Sequence, residues 1–90
     1  MLYMVYERFK TVGAKDVYRR SKEKGRMLPE GLNYVSSWVD LEFTRCFQIM
    51  ETDDFSLFSK WADQWIDIVE FDLIPIRTSA EAMAVIAPHL

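Results

Sequence analysis

The order in which hydrophobic periodicities succeed one another constrains this chain more than any other feature. Residues 2–9 are dense in Tyr, Val and Phe, the composition of a strand. Thr11-Val12-Gly13 breaks that run. Ala14, Val17, Tyr18 and Ser21 then recur at i, i+3, i+4 and i+7, the stripe of an amphipathic helix. Gly25 is a natural stop, because helices often close in a left-handed conformation that glycine adopts without steric penalty. Leu28-Pro29-Glu30-Gly31 suits a type I turn, with Pro second and Gly fourth. Residues 33–40 and 44–51 are again strand-like. Phe55, Phe58, Ala62, Trp65 and Val69 line one side of a second helix, with Leu57 and Trp61 beside them and a cap at Thr52 or Asp53. Residues 70–77 form a fourth strand, in which Pro75 points to an edge position or a bulge. Thr78-Ser79-Ala80-Glu81 is a capping-box pattern opening a short helix over 79–87, stopped by Pro88.

Strand, helix, strand, strand, helix, strand and a helical tail make two right-handed split βαβ units. The fold class is therefore α+β, a ferredoxin-like βαββαβ plait. It has a four-stranded antiparallel sheet, two helices on one face, and a short C-terminal helix. Ninety residues are one domain, spanning 1–90, since either half would be too small to fold. The central hairpin has an expected register. A three-residue loop of Leu41-Glu42-Phe43 sets Asp40 opposite Thr44. Val39, Ser37 and Val35 then oppose Arg45, Phe47 and Ile49, and Trp38, Ser36 and Tyr34 oppose Cys46, Gln48 and Met50. The sheet face without helices would carry Tyr34, Trp38 and Met50. Leaving such surface in water costs about 25 cal/mol per Å². Two sheets packed face to face remove that cost, so a homodimer is expected.

Composition narrows the function. Half of the residues are hydrophobic, too many for disorder and generous for so short a chain. The net charge of −3 weighs against a phosphate-binding protein. Lys10, Lys15, Arg19, Arg20, Lys22, Lys24 and Arg26 do cluster around the first helix, whereas nine acids fall within residues 40–72. Strand three nevertheless lacks the Lys/Arg-Gly-aromatic pattern of RNA-recognition modules, and Gly13, Gly25 and Gly31 form no phosphate loop. The basic run is read as a solvated face, with no nucleic-acid partner. A single cysteine, Cys46, excludes an intrachain disulfide. The chain enters its first strand with no basic lead, long apolar run or cleavage site. No signal peptide or membrane span is expected, and the cytoplasm is the default location.

Candidate chemistry gathers on the mixed face. Tyr34, Ser36, Trp38, Cys46, Gln48 and Met50 would share it, joined by Met4, Tyr6 and Arg8 if strand one presents its even positions there. A few polar groups among aromatic walls is the usual make-up of a small-molecule pocket. Tyr6, Arg8, Tyr34, Trp38, Cys46 and Gln48 are the candidate ligand-binding residues, with Arg8 able to pair with a carboxylate or an enolate oxygen. The competing reading is a packed dimer seam. Cys46 has no histidine near it in sequence, so it is read as a buried thiol rather than a nucleophile. The one histidine, His89, sits in the tail, and no Cys-x-x-Cys or His pair exists. No metal site or cofactor is expected, whether zinc, copper or haem.

The segments LYMVYERFK, GRMLPEGLNYVSSWVD, TRCFQIMETDD and FDLIPIRTSAEA carry a resemblance over about residues 2–82. The chain resembles a small family of mostly bacterial domains of unknown function. That family is similar in turn to the dimeric α/β barrel superfamily, which includes stress-responsive barrel proteins and cofactor-free monooxygenases. The resemblance implies a ferredoxin-like protomer and a dimer closing a barrel. It also implies a cavity inside that barrel or between sheet and helices. It implies no reaction, since function lives in sites rather than folds. Three functions remain in play: a dimeric small-molecule-binding or sensing domain, a cofactor-free enzyme on an aromatic substrate, and a purely structural interaction subunit. The absence of a recognisable acid–base pair favours the first and third.

Overall fold

Alternation along the strands divides the sheet into an apolar face and a mixed one, and the helices lie on the first. The computed structural model of the protein describes residues 1–10 and 13–90. Its elements are β1 (Leu2–Phe9), α1 (Ala14–Lys24), β2 (Asn33–Val39), β3 (Arg45–Glu51), α2 (Leu57–Ala62), β4 (Val69–Ile76) and α3 (Ser79–Ile86), with a 3₁₀ turn at Ala87–His89. The strands form one antiparallel sheet in the order β2-β3-β1-β4, the ferredoxin-like plait expected from the sequence. Thr11 and Val12, part of the expected break after β1, lie outside the described residues.

The inner face is built in rows across the sheet. Tyr3 of β1 stands between Met50 of β3 and Pro75 of β4, and Val5 stands between Gln48 and Leu73. Tyr3, Val5 and Met50 are buried against Phe58, Trp61, Trp65 and Ile68 from α2 and the turns after it. Each such fully buried side chain contributes about 1.5–3 kcal/mol. Val17 of α1 packs on the same cluster. The basic helix is also fixed by charge. Arg20 donates two hydrogen bonds to Asp67, at 2.8 and 2.7 Å, and a third to the Gln64 carbonyl at 2.8 Å. Pro75 lies on β4, an edge strand, where its missing N–H leaves no ladder bond unmade.

Several expected boundaries move by a residue or more. The regular part of α2 is only Leu57–Ala62, Trp65 sits in the turns beyond it, and Val69 opens β4 rather than closing the helix. The α2 cap is Ser56 rather than Thr52 or Asp53, and Asp54 accepts from the Ser56 N–H at 3.0 Å. The turn before β2 closes between Pro29 and Leu32. Gly31 therefore occupies the third position at φ +94°, which is the type II requirement. A side chain at Gly31 would also sit 3.0 Å from Leu57 Cδ1, so glycine lets this turn approach α2. The capping box opening α3 is formed as expected, with Thr78 as the cap and Glu81 answering it.

The hairpin register differs from expectation, and this matters most for the site. Val39 opposes Cys46, Trp38 opposes Phe47, Ser37 opposes Gln48 and Ser36 opposes Ile49. The cause is Asp40. Its Oδ1 accepts the backbone N–H groups of Thr44 (2.8 Å) and Arg45 (2.9 Å), and the Thr44 hydroxyl donates to Oδ2. The Asp40 N–H then donates to the Arg45 carbonyl at 3.2 Å, so the loop holds four residues instead of three. Closure by an Asp side chain replaces a ladder bond with an equivalent one. A register shift between Tyr34 and Ser36 leaves Val35 as the extra residue of a bulge and returns Tyr34 to Met50, the pairing first expected.

Candidate functional site

The one-residue shift, with the bulge, splits the six candidate residues between two faces, because neighbours along a strand point to opposite sides. Cys46, Gln48 and Tyr34 fall on the inner side, under the helices. Tyr6, Arg8 and Trp38 fall on the open side, where Trp38 opposes Phe47 and Phe47 opposes Tyr6. Met50, expected on the open face, is fully buried in the core.

On the open side, Arg8 is engaged within its own chain. It donates to Asp72 and, at 3.3 Å, to Glu70, with its guanidinium 5.1 Å from the Tyr6 ring centre. The middle of this face is apolar, with Ser36, Arg45 and Glu51 around it. Tyr6 and Phe47 stack at 5.2 Å, Met4 stands between Ile49 and Ile74, and Trp38 is 58% exposed. It is a surface rather than a pocket.

The inner side holds a cavity of about 200 Å³. Glu7, Cys46 and Gln48 form its floor on the sheet. Val17, Tyr18 and Ser21 of α1 form one wall, and Trp61 and Trp65 another. The segment after α1 closes an end. Gly25 takes φ +67° and ψ −159°, a conformation essentially reserved to glycine. The Arg26 carbonyl accepts both indole N–H groups, from Trp61 at 3.0 Å and Trp65 at 3.2 Å. The Arg26 guanidinium lies 3.8 Å over the Tyr34 ring, and the Tyr34 hydroxyl meets Ser37 Oγ at 2.7 Å. Tyr34 thus supports the rim while Ser37 lines the space.

The floor is polar and buried. Glu7 and Gln48 are each 6% exposed. Gln48 Nε2 donates to Glu7 Oε2 at 2.8 Å, and Gln48 Oε1 has no hydrogen-bond partner among the described residues. No ion pair reaches Glu7 among the described residues. Burial pushes its carboxyl above the ordinary range, against smaller opposing effects from Gln48, Cys46 and Arg26. Burial also pushes the Cys46 thiol up to about 12, and raises the Tyr18 phenol. Burial thus favours the protonated form of Glu7, and at neutral pH Cys46 is a thiol rather than a thiolate, so the floor is able to hydrogen-bond and poorly suited to nucleophilic attack.

Glu7, Trp61 and Trp65 were not among the residues picked from the sequence. The signal for Glu7 was present, since Tyr3, Val5, Glu7 and Phe9 are alternate residues of one strand and three of them are apolar. A lone acid on an inward-facing set is the buried polar group that calls for explanation. Among the described residues, no three His, Cys, Asp or Glu side chains gather as a metal ligand set, and no helix is long and apolar enough to cross a membrane.

One family model, that of a domain of unknown function (DUF3303), matches residues 1–90. The chain belongs to that family. Neither the curated proteins nor the solved structures contain a match to it.

Proposed function

We propose that this DUF3303 chain is a small-molecule-binding or sensing domain that works as a homodimer, with its ligand in the cavity between sheet and helices. The observation that carries this reading is the unpartnered, buried Gln48 Oε1 on the floor of that cavity. An unmade hydrogen bond at a buried acceptor costs about 1–3 kcal/mol, and interiors are normally packed without such space. A bound molecule supplies both the missing donor and the missing volume. The raised thiol of Cys46 favours binding over thiol catalysis.

The likeness to the dimeric α/β barrel superfamily is supported by the sheet order and by what the open face leaves uncovered. Aromatic side chains bury about 150–250 Å² each. At 58% exposure, Trp38 alone leaves roughly 90–145 Å² in water. Covering it against a second sheet contributes about 2–4 kcal/mol. The helix α3 supports the same assembly. It has eight residues, and Met83, Val85 and Ile86 are all more than half exposed. A helix that short is marginal in water without packing.

A thermal-shift screen of aromatic carbonyl compounds, quinones and polyketide-like molecules tests the reading, because a ligand of the folded state raises its melting temperature. Hits should stabilise the native chain and lose their effect in Ser21→Trp, which fills the cavity from α1. An absence of hits, or hits that stabilise the filled variant equally, would overturn it.

A further inference from the structure

The chemistry of the cavity floor limits what it can recognise, given the reading of that cavity as a ligand site. We infer that the Glu7–Gln48 pair recognises the uncharged donor–acceptor edge of a planar lactam or enol-carbonyl compound, rather than a carboxylate.

The pair is a built site. Both side chains are 94% buried, and Gln48 is held to Glu7 by one 2.8 Å hydrogen bond. Burial favours the proton on the Glu7 carboxyl, since desolvating its charged form is costlier than keeping it neutral, and Arg26 opposes this least among the groups around it. With the carboxyl protonated, the pair has two hydrogen-bond donors and one free acceptor left over. If the Gln48 amide donates to Glu7, the carboxyl O–H, the second amide N–H and Gln48 Oε1 remain. If the amide is reversed, so that the carboxyl O–H donates to Gln48 Oε1, both amide N–H groups and the Glu7 carbonyl remain. Either way the floor presents a donor beside an acceptor. The complement is a ligand edge with an acceptor beside a donor, as in a lactam, an imide or the enol of a dicarbonyl.

Charge and shape agree with this. Arg8, the group that would have attracted an acid, is on the opposite face and already paired with Glu70 and Asp72. Arg26, the cation among the cavity-lining residues, is stacked on Tyr34. A carboxylate would meet a buried acid and a raised thiol instead. The walls bring Trp61 and Trp65, which suit a flat body. A space near 200 Å³ is larger than the roughly 150 Å³ that holds benzene, so a fused bicyclic ring is the expected scale.

Three probes of similar shape separate the possibilities: 2-quinolone, with N–H beside C=O; N-methyl-2-quinolone, with the donor blocked; and 2-naphthoate, an anion. Calorimetry or melting shifts should rank 2-quinolone at least about tenfold tighter than its N-methyl analogue, with 2-naphthoate weakest. Gln48→Met, similar in shape but without the amide, should erase the difference between the two quinolones. Should that variant fold poorly, Glu7→Gln is the second one. It keeps a donor and an acceptor and should retain the discrimination. Equal binding of the two quinolones would overturn the inference, because Glu7 and Gln48 would then satisfy one another. So would preference for 2-naphthoate. If other compounds bind the cavity while these three do not, the lactam inference fails and the ligand site stands. If nothing that binds is excluded by Ser21→Trp, the site itself fails.

Discussion

Replacing Glu7 by Gln should stabilise the protein above mild acidity, the reverse of what deleting a buried hydrogen-bonded group normally does. The sign follows from the raised carboxyl. A group whose folded pKa lies above its unfolded value leaves the folded state holding more protons in the window between the two. Stability then falls as pH rises through that window, at about 1.4 kcal/mol for each unit of separation. For a domain of this size, 1 kcal/mol corresponds to about 4–8 °C in Tm. Each unit therefore lowers the wild-type Tm by roughly 5–11 °C between pH 4.5 and the folded pKa. The carboxylates held below their usual range, those of Asp40, Asp54, Asp67 and Glu81, contribute stability that is lost only as pH falls below about 4. They leave the higher window clear. The other titratable groups around Glu7 are Cys46, its neighbour on the floor, and Tyr18 and Arg26 of the cavity lining, of which Cys46 and Tyr18 are shifted upward, away from it. Gln at position 7 cannot ionise and can still accept from Gln48. Scanning calorimetry from pH 4.5 to 8 should show a declining Tm for the wild type and a flat one for Glu7→Gln, with the variant the more stable at pH 8. Glu7→Leu should lose about 1–3 kcal/mol throughout, since it strands Gln48. A wild-type Tm that rises over this range, or a Glu7→Gln variant less stable than wild type at pH 8, would show that Glu7 is ionised in the fold and refute the reasoning.

Gly25→Ala should cost about 1–3 kcal/mol in denaturant titration, although nothing lies within 4 Å of the added methyl, because the penalty is in the backbone. Cys46 should resist iodoacetamide at pH 8 in the folded protein and react at once in urea, since its thiol is held near 12 by burial. Trp38→Glu should raise the dimer dissociation constant more than about 100-fold in sedimentation equilibrium, as an unpaired charge in a seam costs about 3–5 kcal/mol; a wild type that stays monomeric at high concentration would remove the basis for the dimer.

The fold was legible because it depends on coarse signals. A period of two gives way to a stripe at i, i+3 and i+4 and returns, and Pro75 marks an edge strand; the capping box at Thr78 and Glu81 marks the last helix. None of these moves if a boundary slips by a residue. The site depends on parity, and parity was settled by two local events that periodicity does not register. Asp40 closed its own turn through its carboxylate, and Val35 bulged. The first moved Trp38 away from Cys46 and Gln48; the second kept Tyr34 with Met50. Tyr6 and Arg8 lie on the open face with Trp38, as the even positions of β1 would, whereas Cys46 and Gln48 lie beneath the helices beside Glu7. Asp at a strand end is a known turn former, so the first event had a sequence signal. The clamp on the Arg26 carbonyl by two indoles had none, because it joins residues more than 30 positions apart.

The three tryptophans offer the most direct test, since they report on the two faces separately. Trp61 and Trp65 line the cavity, and their indole N–H groups bond the Arg26 carbonyl, whereas Trp38 stands on the open face. A ¹H–¹⁵N spectrum should show three indole signals, assignable by single Trp→Phe substitutions. Titration with 2-quinolone, or with any hit from the thermal screen, should shift the Trp61 and Trp65 signals in a saturable way and leave Trp38 unmoved. A ligand that shifts Trp38 alone would place binding on the open sheet face and contradict the assignment of the inner cavity as the site.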